Sequence, residues 1–351
     1  MTGRAMKFWL REEARETERR TPLVPKDAAA LIADGAEITV ERNARRIFGD
    51  AAYAQAGCTL ADPGTWIAAP RDTLVLGVKE LPARPDTLAG AYAHFAHLYK
   101  DQRGWQHHLG RFAKGGGTLY DLEYLTDENG VRVAAFGYWA GWLGAALGVQ
   151  GWLLRLRGET PGPVSPRPSR EAFLDEIRAM RGEASIPRAV VIGAKGRSGQ
   201  GASDLLGVLG IPATLWDREE TVDLDRATLL DHDILVNCVL LRGPGLTLLT
   251  PDDLGDPALR LGTISDVACD PLSDFNPLPV YDAPTGWDEP FLPLRGAGDV
   301  WLTAIDNLPS LLPREASEDF SAQLLGTLRV CPDGVAWRNA EAAFDAAVAR
   351  L

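Results

Sequence analysis

Residues Ala189–Asp217 read AVVIGAKGRSGQGASDLLGVLGIPATLWD, and the order of residue types in them is that of strand, turn, helix and strand. Ala189–Ile192 is a short β-branched apolar run, Gly193, Gly196, Gly199 and Gly201 form a glycine-rich turn, and Leu205, Leu206 and Leu209 follow at helical spacing. Gly210 and Pro212 close the helix, Ala213–Trp216 reads as a second strand, and Asp217 stands at its end. This is the plan of a dinucleotide-binding βαβ unit. The glycines let the main chain approach a pyrophosphate, the helix N-terminus presents unpaired N–H groups to its charge, and a terminal acid accepts hydrogen bonds from ribose hydroxyls. The spacing is GxxGxxG with one more glycine at 201, not the common GxGxxG. A mononucleotide loop would need Lys where Ala202 stands, and a nucleophile elbow on Ser198 would need glycine where Gln200 stands.

Around this unit, 351 residues leave room for two domains, and 46% hydrophobic with 24% charged residues is ordinary globular composition. A net charge of −12 opposes binding to phosphate backbones and anionic membranes, so small-molecule chemistry is expected, with no nucleic-acid or membrane partner. Cys58, Cys238, Cys269 and Cys331 are scattered without zinc spacing, which predicts free thiols and no metal. The N-terminus lacks the pattern of a signal peptide, which points to the cytoplasm. Val133–Leu154 carries no charge over roughly 20 residues, the length of a membrane span. Its five glycines and its place between two soluble-looking halves predict instead a long buried helix running from one domain to the other.

In chain order, Met6–Leu10 is a short apolar run, the charged stretch Arg11–Arg20 follows, and a helix starts near Pro25 and ends by Gly35. Glu37–Glu41 alternates as a strand. Asp72–Lys79 (DTLVLGVK) reads as a buried parallel strand ending on Lys79 and Glu80, and the apolar run Tyr92–Tyr99 carries His94 and His97. Gly115–Leu122 leads into a strand with Glu123 beyond it. Residues 1–135 thus read as one α/β domain. Pro161–Pro168 is a surface loop and Ser169–Arg181 a capped helix, and Asp233–Leu241 and Thr263–Cys269 add strands to the glycine-rich domain. Leu328–Cys331 is strand-like and Asn339–Leu351 helical. The expected fold is α/β, with two Rossmann-like domains built on parallel sheets. Hydride transfer needs little from a protein beyond cofactor binding, substrate orientation and proton movement. Lys79 and His97 are the proton carriers that the residues themselves suggest, with Glu80, Gln102 and Glu123 as polar neighbours.

Several longer stretches resemble one family. They are Glu18-x-Arg20 with Thr21–Pro25, Leu76–Glu80, Phe95–Gln102, Thr118–Glu123, Ala134–Gly137 and Leu308–Ser317. Together they are similar to the NAD-dependent, lysine-forming saccharopine dehydrogenases, within the alanine dehydrogenase and transhydrogenase superfamily, over nearly the whole chain. The resemblance implies an active site in an interdomain cleft, with a discontinuous substrate domain (1–135 and 320–351) and an NAD-binding Rossmann domain (136–319). It implies oxidation of saccharopine with NAD and water to L-lysine and 2-oxoglutarate, reversibly, as the last step of the alpha-aminoadipate route to lysine, by a monomer or weak homo-oligomer.

By position, Lys79 and His97 match the family's catalytic pair. Arg20, Gln102, Arg132, Phe136, Ala268, Cys269 and Asp270 match substrate positions. Arg197, Ser198, Asp217, Thr221, Val267, Ile305, Asp306, Asn307 and Leu308 match NAD positions, beside Gly193, Gly196 and Gly199. A substrate with three carboxylates and two amines calls for guanidinium groups and acids in one pocket, which Arg20 and Arg132, with Glu80, Glu123 and Asp270, provide. A lysine base needs burial or a second cation, while nearby Glu80 and Glu123 act the other way. Val131 stands where the family often has a second arginine beside Arg132, and Ser198 replaces a cysteine found in some members. The rival readings are a relative acting on another amine and keto-acid pair, and a nucleotide sensor without catalysis. Retention of both Lys79 and His97 argues against the sensor.

Overall fold

Helices alternate with strands through the first third of the chain. In the computed structural model the described residues are 6–100, 102, 104–241, 243, 245–294 and 300–351; Asp101, within the Phe95–Gln102 motif, lies outside them. The chain divides into two units, Met1–Ala135 with Pro313–Leu351, and Phe136–Leu312.

The first unit contains β1 (Lys7–Leu10), α1 (Pro25–Ala33), β2 (Glu37–Glu41), α2 (Asp50–Gln55), β3 (Thr59–Ala61), β4 (Leu74–Leu76), β5 (Ala91–His94), α3 (Trp105–Gly115) and β6 (Thr118–Asp121). Its sheet has the order β3-β2-β1-β4-β5-β6, every neighbouring pair parallel, with Phe8 level with Ile38 on one side and Leu74 on the other. The order reverses between β1 and β4, and in such sheets ligands bind outside the carboxyl ends of the strands at that point. The strand predicted to reach Lys79 ends at Leu76, and Lys79 sits in the loop that follows.

The unit is completed by two later helices, Pro313–Leu328 and Val335–Val348, which in chain order are α9 and α10. Their attachment is specific. α1 has Pro25 in its first turn but no side-chain cap of its own. Ser321 on α9 supplies one instead, accepting from the Val24 amide at 3.1 Å and donating to Asp27 at 2.6 Å, while Ser317 accepts from the Thr21 amide at 3.0 Å. From α10, Phe344 and Ala347 enter the apolar core formed by Val75, Leu88, Leu109, Phe112 and Leu119. The apolar run Leu328–Cys331, read from sequence as a strand, is the end of α9 and the turn after it. Phe320, Leu324 and Leu328 lie four apart, a helical spacing, and Pro332 prevents continuation. Residues 313–319, expected in the glycine-rich domain, begin α9 and so belong to the first unit.

The second unit contains α4 (Gly137–Arg157), α5 (Arg170–Arg181), β7 (Ala189–Ile192), α6 (Arg197–Val208), β8 (Ala213–Trp216), α7 (Arg218–Val222), α8 (Arg226–Leu230), β9 (Ile234–Asn237), β10 (Thr263–Asp266), β11 (Leu292–Pro293) and β12 (Trp301–Thr303). The sheet order is β11-β12-β10-β9-β7-β8, parallel except for the short β11. It reverses between β7 and β9. Ser169 caps α5, its hydroxyl accepting from the Ala172 amide. The uncharged stretch seen in the sequence is α4, which lies wholly within this unit instead of joining the two. Its glycines face neighbours at backbone distance: a Cβ at Gly141 would overlap the Ser198 carbonyl of α6, and one at Gly201 on α6 would overlap the Tyr138 carbonyl of α4. Among the described residues no helix is long and apolar enough to cross a membrane.

Candidate functional site

In the first unit the loops after β1, β4, β5 and β6 meet at the carboxyl end of the sheet. The loop after β1 brings Arg11 and Glu13 against the loop that carries Lys79. The Glu13 carboxylate accepts the Val78 and Lys79 amides at 2.5 and 3.1 Å, and the Arg11 guanidinium donates to the Lys79 carbonyl. Gly77 lies against that guanidinium, and a Cβ there would have to displace it. Burial pushes the Glu13 carboxyl upward, only partly opposed by the charge of Arg11.

Lys79 itself is 8% exposed. Its charge acts on both Glu18 and Glu80. Glu18 is buried and grips Arg20 through two parallel bonds, Nε to Oε1 at 2.9 Å and Nη2 to Oε2 at 2.7 Å. Burial raises its carboxyl, yet Arg20, by charge and hydrogen bonding, and Lys79, by charge, outweigh this and bring it down to about 2. Arg20, expected to meet a substrate carboxylate, is thus engaged by a carboxylate of the chain itself. Glu80 pairs with Arg15, which together with Lys79 overcomes burial and lowers its carboxyl.

His97 follows β5 with φ +53°; with Cys269 it is one of two non-glycine residues held in the left-handed region among the described residues. Such positions cost on the order of 1–3 kcal/mol and cluster at functional sites. The carboxylate of Asp121, at the end of β6, clamps the loop by accepting the Ala96 amide at 3.3 Å and the Glu123 amide at 2.9 Å. Burial lifts Asp121 to about 7. The His97 ring stacks on Phe95, and its Nδ1 lies 4.0 Å from Glu123, which binds Lys100 at 2.7 Å and feels the charge of the exposed Arg132. Gln102 accepts the Lys100 amide through its side chain. A cavity of about 180 Å³ opens beside these groups, lined among others by Glu80, His94, His97 and Gln102.

In the second unit the turn after β7 has the form the glycines predict. Gly193 adopts φ +80° against Cys238 and Val239, and a Cβ at Gly199 would overlap the Gly193 carbonyl. The N-terminus of the 12-residue α6 therefore sits directly on the turn, with Gly196 at its cap, Arg197 exposed and Ser198 half-buried. Asp217, at the end of β8, accepts the Lys195 amide at 2.9 Å and the Arg218 amide at 2.8 Å. Its side chain also accepts the Glu220 amide in a capping box, and the bonds to Lys195 and Arg218 hold its carboxyl below the usual range. Thr221 turns its hydroxyl back to the Asp217 carbonyl at 2.8 Å.

Asp266 is buried at the end of β10, bound by Asn237 at 2.9 Å and Tyr281 at 2.6 Å; burial raises its carboxyl despite these bonds. It also receives the Ala268 and Cys269 amides, and so shapes the Val267–Asp270 turn, in which Asp270 is exposed. The Cys269 thiol points to the Ala304 carbonyl at 3.2 Å, and burial pushes it up to about 12. Ile305 and Leu308 are buried, Asp306 is exposed, and the Asn307 amide donates to the Ser310 hydroxyl. Phe136 precedes α4 and belongs to this unit. Among the described residues no cluster of three or more His, Cys, Asp or Glu is placed to hold a metal. Sequence reasoning missed Arg11, Glu13 and Asp121; in Arg11–Arg20 the signal was acids each two residues from an arginine, at Arg11/Glu13 and Glu18/Arg20.

The family profile described as Alanine dehydrogenase/PNT, N-terminal domain, matches residues 9–143. A protein of Yarrowia lipolytica named saccharopine dehydrogenase [NAD(+), L-lysine-forming] is 40% identical, over 99% of this chain and 98% of its own length. One of the same name from Emericella nidulans is 40% identical over 98% of each. Among solved structures, an L-alanine dehydrogenase superposes with a TM-score of 0.71 at 20% identity, covering 97% of this chain and 94% of its own, which extends the likeness to the fold.

Proposed function

This chain belongs to the family of NAD-dependent, L-lysine-forming saccharopine dehydrogenases, and we propose on that premise that it oxidises saccharopine with NAD and water to L-lysine and 2-oxoglutarate, reversibly. The observation that carries this reading is that Lys79, beside Glu18–Arg20, and His97, beside Glu123, stand in loops that follow neighbouring strands at the carboxyl end of the first sheet. The second unit fits a dinucleotide: the Gly193–Gly199 approach leaves no room for a side chain, and Asp217 stands at the end of β8 with a carboxylate suited to ribose hydroxyls. Gly193, Gly196, Arg197, Ser198, Gly199, Asp217 and Thr221 would hold NAD, with main-chain groups of Val267 and Ile305–Leu308. When bound, NAD accepts the hydride.

The remaining chemistry belongs to the side chains. Lys79, among the carboxylates Glu18 and Glu80, takes the proton of the secondary amine. His97 serves as acid and base while water adds and lysine leaves, with Glu123 beside its ring. Exposed Arg132 is suited to a substrate carboxylate, and Arg20 acts through Glu18, fixing the charge next to Lys79. The free thiols and the negative net charge support a cytoplasmic enzyme that works as a monomer or weak oligomer.

Purified protein is expected to form NADH from saccharopine and to leave shorter opines largely unreacted. NADH formation from a shorter opine alone would transfer the reading to a relative with another amine substrate. Asp217 predicts preference for NAD over NADP, because a 2′-phosphate would bring like charge to its carboxylate. Two unit charges about 4 Å apart repel by roughly 4 kcal/mol at an effective dielectric of 20, and solvent screening reduces this at a partly exposed site. Asp217→Ala is expected to lower kcat/KM with NAD and narrow the gap to NADP. Equal use of the two cofactors by the wild type would refute the role.

A further inference from the structure

Among the described residues only two that are not glycine take the left-handed region, and each is held there by a buried aspartate at the end of a strand. Cys269, at φ +50°, has its own amide and that of Ala268 accepted by Asp266, the last residue of β10. His97, at φ +53°, follows Ala96, whose amide is accepted by Asp121, the last residue of β6; the His97 amide bonds to the same carboxylate. A non-glycine residue persists in that region only where its surroundings fix it. A carboxylate that receives several main-chain amides is a strong means of doing so.

Asp121 does more than hold one turn. It is 1% exposed and both of its oxygens are used: Oδ2 takes the Ala96 amide at 3.3 Å and Oδ1 the Glu123 amide at 2.9 Å. One carboxylate therefore ties together the main chains of His97 and Glu123, whose side chains approach to 4.0 Å. Neighbouring contacts fix the imidazole further. The Leu122 amide donates to the His94 carbonyl at 3.1 Å and the Phe95 amide to the Val78 carbonyl at 3.0 Å, so the loop after β5 is bonded to the loops on both sides of it. Phe95 stacks on the His97 ring with centroids 6.5 Å apart and planes at 20°, and Phe320 of α9 packs against Phe95 at 5.9 Å. The charge nearest the ring is Glu123, with Lys100 and Arg132 acting on it; Glu80 and His108 line the cavity that His97 borders, and burial keeps His94 neutral.

We infer that Asp121 is a positioning residue for the proton transfers assigned to His97: by holding the main chain of both residues, its carboxylate sets the distance between the imidazole and Glu123. The inference rests on the saccharopine reading for the reaction that it serves.

Asp121→Asn tests it, since both oxygens are engaged and a side-chain amide turned either way sets its NH2 against a main-chain N–H. In the full chain kcat for saccharopine oxidation should fall about tenfold to a hundredfold, the effect of misplacing a reacting group by about an ångström, with the NAD dissociation constant unchanged. The His97 ring, identified by nuclear magnetic resonance among the five histidines through its absence from His97→Gln, should titrate lower by about half a pH unit or more, because the imidazolium loses part of its neighbouring carboxylate. Asp121 also has a charge of its own, with a pKa that burial lifts to about 7, so the comparison is repeated with Glu123 replaced by Gln. A positioning effect vanishes in that background, whereas a direct charge effect survives. Equal shifts in the two backgrounds overturn the inference, as does a fall in kcat with no shift, which is what a merely structural role would give. Amide hydrogen exchange of the wild type needs no variant: Ala96, His97 and Glu123 should exchange at least about a hundredfold more slowly than an unstructured chain. Unprotected amides there overturn the clamp even if Asp121→Asn fails to fold. The reaction is judged separately: a wild type that forms no NADH from saccharopine sinks that reading, while the His97 shift stands or falls by itself.

Discussion

Lys79→Met is expected to lower kcat for saccharopine oxidation by about 10²- to 10⁴-fold, the usual contribution of a positioned general acid or base, while the NAD dissociation constant changes little. Methionine keeps most of the apolar stem in the buried site and removes only the ammonium. The fold should tolerate the change: Glu18 retains its paired bonds to Arg20, and Glu80 retains Arg15. His97→Gln should produce a loss in the same range, since the amide occupies similar space without exchanging protons. The pH profile of kcat/KM distinguishes the two, because each variant should lose one limb of the bell. Near-normal turnover in either would remove that residue from the mechanism.

Gly141→Ala carries the second large effect. α4 and α6 touch backbone to backbone at Gly141 and Gly201, and the added methyl would meet the Ser198 carbonyl, which has no rotamer to yield with. Overpacking of this kind costs about 1–3 kcal/mol, and more where main chain must move. The part that moves is the first turn of α6, whose amides are assigned to the pyrophosphate. NAD affinity is therefore expected to fall at least about tenfold along with stability. Gly207→Ala is the matched control on the same helix: nothing lies within 4 Å of its added Cβ. It should stabilise by up to about 1 kcal/mol and leave NAD binding unchanged. Equal effects of the two substitutions on NAD affinity would show that the α4–α6 contact does not control the turn.

The glycine turn was legible because its chemistry is local: Gly193 must turn and Gly199 must admit a neighbouring backbone, and both demands are written in adjacent residues. Lys79 and His97 were found through long motifs, and in the structure they follow the neighbouring strands β4 and β5 at the carboxyl end of one sheet. The stretch Arg11–Arg20 was harder. Charges at that density read as a solvated face, whereas Arg11, Glu13, Glu18 and Arg20 are all buried and neutralise one another beneath the Lys79 loop. Burial of that kind depends on which distant strand a loop meets. Asp121 escaped for the same reason, since its carboxylate is set by the loop after the neighbouring strand β5. Leu328–Cys331 failed differently, since a four-residue apolar run has no period of its own and takes the one set by Phe320 and Leu324 upstream.

A ribosome delivers this protein in an awkward order. Domains commonly acquire their structure as they emerge, the N-terminal one first. Here the first six strands emerge early, yet the Ser321 hydroxyl that caps α1, the Ser317 hydroxyl that binds Thr21 just before it, and the Phe344 that fills the core come last of all. The second unit is contiguous and can settle while the earlier segment waits, so maturation should run from the middle of the chain outwards. A chain ending at Leu312 is expected to show a protease-resistant fragment within residues 136–312 and rapid cleavage of residues 1–135. Equal resistance of both segments would show that the opening half matures without its closing helices.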